Sequence, residues 1–76
     1  MRKMTKFKNI PHKVKVVLNA FNGEEKLTGR EITRRINEMG YRVSEGHIKM
    51  FIYHYMLHKY LKKEVVRGVN YYFLAQ

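Results

Sequence analysis

The chain contains no cysteine, so no disulfide staples it and no thiolate is available to a metal. It has one serine, Ser44, in a position that reads as a helix cap, so no serine nucleophile with an attendant base is visible. Acids are scarce: Glu24, Glu25, Glu31, Glu38, Glu45 and Glu64 are the whole set. Glu31 falls in a helix-capping pattern and the others read as solvated surface groups. No catalytic residues are therefore expected, and the chain does not read as an enzyme. Glycines 23, 29, 40, 46 and 68 are scattered, which excludes a glycine-rich phosphate loop. His54 and His58 are four residues apart, with His47 two turns earlier, but a zinc site needs three or four ligands and the glutamate of a metalloprotease helix is missing. These histidines, and His12 in a first helical turn, read as surface or interface groups, and no metal, cofactor or small-molecule ligand is expected. No apolar run approaches the roughly 20 residues needed to span a bilayer. The basic stretch Met1–Lys8 lacks the apolar segment of a signal peptide. The expectation is a cytoplasmic protein that makes no use of a membrane.

What is abundant is positive charge. The 76 residues carry 16 Lys and Arg against 6 acids, for a net charge of +10 and a pI near 10.1. A domain with this balance either meets a polyanion or tolerates self-repulsion. The charge is uneven. Residues 1–15 hold six basic groups and no acid, residues 24–46 hold five of each, and residues 47–76 hold five basic groups and one acid. At 45% apolar residues the chain can build one core, and 76 residues leave no room for a second.

Periodicity divides the chain into a basic arm, residues 1–9, and one folded domain, residues 10–76. The arm's Arg2, Lys3, Lys6 and Lys8 suit phosphates or a minor groove, or else a solvated tail. A first helix is predicted from Pro11 to Asn22, with Val14, Val17, Leu18 and Phe21 on its apolar face and Gly23 as its stop. Thr28 and Glu31 form a capping box for a second helix, flanked by Leu27 and Ile32 at staple spacing. Its buried stripe is Ile32, Ile36 and Met39, and Gly40 closes it. Leu27 fits a short strand just before the cap. Ser44 caps a third helix, predicted to run to His58, with Val43 stapled on Ile48 and Ile48, Phe51, Ile52 and Tyr55 facing inward. Leu61–Val66 and Tyr71–Leu74 then read as the strands of a β-hairpin, with Arg67, Gly68, Val69 and Asn70 between them.

The order helix, short strand, helix, tight turn, helix, hairpin resembles the winged helix-turn-helix family over residues 11–75, most closely in TGREITRRINEMGYRVSEGHIKMFIYHYMLHKYL. The resemblance implies a mainly α fold of three helices with a C-terminal hairpin as the wing, and a partner in double-stranded DNA. Helix 44–58 would be the recognition helix, its first half in the major groove, and segment 61–74 the wing with Arg67 near its tip. Thr28, Arg30 and Arg34 at the second helix, Ser44, His47, Lys49, Met50 and Tyr53 on the third, and Arg67 and Asn70 on the wing would join Arg2, Lys3, Lys6 and Lys8 at the DNA. Many members end the recognition helix with glycine, where this chain has Lys59. The groove-facing positions hold Glu45, His47, Lys49, Met50, Tyr53 and His54, with no Arg, Asn or Gln for bidentate base reading. That points to binding dominated by phosphates.

The outer face of the same helix carries Met50, Tyr53, Leu57 and, less squarely, Met56 and Tyr60. Such a surface fits either a wider core or a homodimer. The functional expectation is a nucleoid- or chromatin-type protein or a transcription regulator. An RNA-binding or ribosome-associated winged helix is the alternative, with Tyr71, Tyr72 and Phe73 as a faint echo of an aromatic RNA-binding strand pair. A winged helix that serves only protein interaction is a third class, which the charge disfavours.

Overall fold

A computed structural model describes residues 7–75. Helix α1 spans Ile10–Asn19. Asn9, in an extended conformation, starts it: its side-chain oxygen accepts the amide of His12 at 2.9 Å, and Pro11 sits in the first turn, where an amide is not missed. The helix ends three residues before the predicted stop at Asn22. Val16 joins Val17 in the core, while Val14 and Leu18 pack at its margin. Phe21 is buried as expected, but from the chain leaving the helix rather than from its face.

The loop that follows is tied down by Glu25, which accepts the Asn22 amide and pairs with both Arg35 terminal nitrogens at 2.6 and 3.2 Å. The same guanidinium donates to the Ala20 carbonyl at 2.8 Å. The end of α1, the loop and the second helix are thus joined by one side chain.

Strand β1 is the two-residue segment Leu27–Thr28, and α2 runs Gly29–Glu38. The capping box is complete: Thr28 Oγ1 accepts the Glu31 amide at 3.2 Å, and Glu31 accepts the Thr28 amide at 2.9 Å. Ile32 and Ile36 are fully buried. Met39, expected in the same stripe, is 40% exposed, because it is the capping residue at which the chain departs from the helix. The turn that follows is clamped by Asn37, whose side chain accepts the Val43 amide at 3.1 Å and donates to the Val43 carbonyl at 3.3 Å. Tyr41 in this turn stacks on Phe7 at 4.7 Å, with His12 edge-on to both, and so fixes the chain just ahead of α1.

Helix α3 spans Glu45–Phe51, with Ser44 Oγ accepting the His47 amide at 3.2 Å. It then continues as a π-helical turn, Ile52–Met56, closed by Leu57 N–H on the Ile52 carbonyl at 2.7 Å. A bond five residues back takes one more residue per turn than an α-helix, so each residue after Ile52 rotates less about the axis. The register of the face shifts accordingly. Met56, expected on the outer face, is fully buried, and Tyr55, expected in the core, is 47% exposed. Leu57, also expected outside, is half-buried and packed on the core. The left-handed residue that ends the helical segment is His58, at φ 70°, rather than Lys59.

The last element is the hairpin of β2, Leu61–Val66, and β3, Val69–Leu74. Its loop is shorter than predicted. Val66 pairs with Val69, so Val69 and Asn70 belong to the strand and the turn is Arg67–Gly68 alone. Both have positive φ, 53° and 78°, the pattern of the type I′ turn whose twist suits a hairpin. β1 pairs with β3 through Leu27–Tyr72 and Thr28–Tyr71, giving an antiparallel sheet in the order β1-β3-β2. Among the described residues the fold is therefore three helices and a three-stranded antiparallel sheet. Ile32, Ile36, Ile48, Ile52, Met56 and Leu61, all without exposed surface, join the two layers. Each contributes roughly 1.5–3 kcal/mol through burial of its side chain.

Candidate nucleic-acid interface

Three elements converge on one side of the molecule: the start of α2, the outer face of α3 and the hairpin. Between them lie two adjoining grooves. The first is lined by Thr28, Gly29, Arg30, Glu45, Lys49, Gly68, Val69 and Asn70. The second, of 410 Å³, is lined by Lys49, Met50, Tyr53, His54, Leu57, Lys63, Asn70 and Tyr72. They share Lys49 and Asn70, so they form one trough.

Close approach of α2 and α3 makes the trough possible, and Gly29 permits it. A Cβ at Gly29 would lie 2.7 Å from Cγ and 3.1 Å from Cδ of Lys49. The Lys49 stem therefore lies directly across the first residue of α2. Its ammonium is 3.5 Å from Glu45, one turn earlier on its own helix. Such an exposed pair is weak and readily exchanged for another anion. Met50 of α3 and Tyr53 of the π-helical turn, at 60% and 68% exposure, are the most open apolar side chains of this helical segment. Tyr53 stands edge-on to His54 at 5.2 Å.

The sequence-predicted residues fall into distinct groups. Thr28, Arg30, Lys49, Met50, Tyr53 and Asn70 line the trough, and Arg67 stands at the hairpin turn that borders it. Arg34 is exposed in a neighbouring groove with Arg30, Asn37 and Glu45. The Thr28 and Ser44 side chains are engaged as helix caps, and Glu31 fills the N-terminus of α2 with a carboxylate of the protein's own. Lys8 is exposed just before α1, its backbone amide donating to His12 Nδ1 at 3.1 Å. His47 lies on the α1 side of α3, in contact with Lys13 rather than with the trough. Arg2, Lys3 and Lys6 lie outside the described residues.

Two cations were missed by the sequence reading. Lys63 lines the trough because strand residues alternate and Leu61, two before it, points into the core. The period of two in β2 carried that signal. Lys13 meets His47 across α1 and α3, 34 residues apart, and nothing in the local pattern pairs them.

Three of the six acids are engaged elsewhere: Glu25 with Arg35, Glu64 with Lys26 and Glu31 in its helix cap. Glu45 pairs with Lys49 inside the trough, and Glu38 lines the neighbouring groove beside Arg30 and Arg34. The Arg35 guanidinium, with the Asn22 amide, holds the Glu25 carboxyl below the usual glutamate range. Among the described residues no three His or Glu side chains converge to hold a metal ion, and no helix is long and apolar enough to cross a membrane. Comparison with protein-family models, curated proteins and solved structures finds no match to this chain.

Proposed function

We propose that the chain is a winged helix-turn-helix module that binds double-stranded DNA, with α3 entering the major groove and the β2–β3 hairpin acting as the wing. The observation that carries this reading is the trough, which sets the exposed face of α3 beside Arg30, Lys49 and Lys63 and the hairpin turn. The order of elements and the β1-β3-β2 sheet support it. The exposed face of α3 offers Lys49, Met50 and Tyr53, of which only Lys49 can donate to both acceptors of a guanine edge, so phosphate contacts dominate. A nucleoid- or chromatin-type role in the cytoplasm follows more readily than recognition of one operator. The aromatic echo of an RNA-binding strand pair is reduced to Tyr71 and Phe73, since Tyr72 is buried in the core. Self-association through α3 loses Met56 and Leu57 to the core and rests on Met50, Tyr53 and Tyr60, which are exposed.

The test is a titration of several unrelated duplexes at two salt concentrations with an RNA competitor, alongside sedimentation of the free protein. Each phosphate neutralised adds about −0.9 to the slope of log affinity against log salt, so Arg30, Lys49, Lys63 and Arg67 alone give about −3.6. Similar affinities across sequences with such a slope support the architectural reading. A preference of about a thousandfold for one duplex indicates a regulator instead. Displacement by RNA at equal concentration, or no binding at moderate salt, refutes duplex DNA as the partner.

A further inference from the structure

A duplex that holds a helix in its major groove presents a phosphate strand on each side of that helix. The trough supplies cations on one side of α3 only. On the other side, at the junction with α1, Lys13 Nζ meets Nε2 of His47. The ammonium also lies over two aromatic rings, 5.1 Å from the centroid of Phe7 and 4.6 Å from that of Phe51. These contacts place Lys13 at a groove it shares with His47, Met50, His54 and Tyr55. Met50 and His54 also line the trough, so the two cationic sites flank one ridge of α3.

The groups around His47 are Lys13 from α1, His54 and Tyr55 from the π-helical turn, and the Glu45–Lys49 pair on its own helix. Glu45 is turned to Lys49, and among the described residues no carboxylate pairs with Lys13 or His47. Two cation-forming groups in contact, without a protein anion, form a site that an external anion completes.

We propose that Lys13 and His47 form a second backbone-phosphate site, on the α1 side of α3, and that His47 takes up a proton as the phosphodiester binds. The proposal rests on the duplex-binding reading. In the free protein the Lys13 ammonium donates to a neutral His47 ring. Partial burial, then the charge of Lys13, holds His47 below the ordinary histidine value, and burial also lowers Lys13. A phosphate reverses the balance by favouring the charged form of both groups. Affinity therefore strengthens as the pH falls through the histidine range. The gain is at most about tenfold per pH unit, the limit for uptake of one proton, and it ends below the free-protein value of His47.

The experiment measures affinity for one duplex from pH 5.5 to 8.5 at fixed ionic strength, for the wild type, His47→Gln, Lys13→Met and His58→Gln, with thermal midpoints taken at each pH. The His47 ring is followed by NMR with and without duplex. The expected result is a pH-dependent affinity in the wild type and His58→Gln, a flat profile in His47→Gln, and an upward move of the His47 titration on adding DNA. Lys13→Met lowers the salt slope at pH 8 by about 0.9, one phosphate contact. If wild type and His47→Gln share one pH profile while both bind with a steep salt slope, the inference is overturned and the duplex reading stands. An unchanged salt slope in Lys13→Met also overturns it. If no variant binds duplex at any pH, both fall together.

Discussion

Replacing Met56 and Tyr55 separately by alanine tests the π-helical turn, on which the geometry of α3 depends. In a regular α-helix continuing from Ile48 and Ile52, Tyr55 would lie at the centre of the core face and Met56 at its edge. In the structure Met56 is fully buried and Tyr55 is 47% exposed, its ring 5.0 Å from that of Phe51. Met56→Ala removes a buried side chain and leaves a cavity, for a cost of about 2–5 kcal/mol. Tyr55→Ala loses one aromatic contact at the surface, about 0.5–1.5 kcal/mol. A domain of this length has a total stability of about 4–11 kcal/mol, so Met56→Ala takes a large part of it and Tyr55→Ala does not. Urea titrations followed by far-UV circular dichroism, with both variants at one temperature and an unchanged m-value, give the two differences directly. A larger loss for Tyr55→Ala than for Met56→Ala refutes the π-helical register and restores the regular helix that the sequence suggests.

Arg67 occupies a left-handed position at the hairpin turn, at φ 53°. Arg67→Asn should raise stability by up to about 1 kcal/mol, because Asn-Gly is favoured in this turn, while removing one cation from the interface. Thermal unfolding and a salt-dependent DNA titration read the two effects separately. His58→Gly, at φ 70°, should stabilise by a similar amount, about 0.5–1 kcal/mol, without changing the salt slope. Gly29→Ala forces the Lys49 stem aside and should leave stability within about 1 kcal/mol, since a helix-favouring residue offsets a displaced exposed side chain. It should weaken DNA binding, and Lys49→Ala in the same background should weaken it no further. Glu25 ionises below its unfolded value, so its pairing with Arg35 stabilises fully above about pH 4.3 and is lost as the pH falls through the folded value. Glu25→Gln should lower the midpoint at neutral pH and flatten the acid limb of a stability–pH curve.

The elements that local chemistry specifies were legible in the sequence. The Thr28–Glu31 box, the Ser44 cap and the strand at Leu27 lie where their residue types and spacing place them. The misses share one cause, a tertiary or long-range preference that overrides the local period. Phe21 fits the helical period of α1 yet reaches the core from beyond the helix end. Met56 replaces Tyr55 inside because one extra residue in the turn shifts every later side chain, and no local motif announces that residue. The interface was legible on single elements, as at Lys49 and Arg67. It was not legible where two elements must meet, as for Lys13 and His47.

That distinction bears on how the positive charge is used. A net charge of +10 spread evenly would make the chain merely repel itself. Here the acids are drawn into internal work: Glu31 closes a cap, Glu25 ties α2 to the preceding loop, and Glu64 holds Lys26 against β2. Glu25, Arg35, Glu64 and Lys26 do not line the trough, and the Glu31 cap borders it at Thr28. Among the described residues the only acid that lines the trough, Glu45, holds Lys49 at 3.5 Å across exposed surface, a pairing worth at most about 0.5 kcal/mol. A phosphate that displaces Glu45 from Lys49 therefore forfeits little. Glu45→Gln should accordingly strengthen DNA binding at low salt by removing a like charge from the interface. Its salt slope should stay unchanged, because the number of phosphates engaged does not alter. A fall in affinity on this substitution would place Glu45 as a contact to DNA in its own right, through an exposed cytosine amine, and would reopen base recognition by α3.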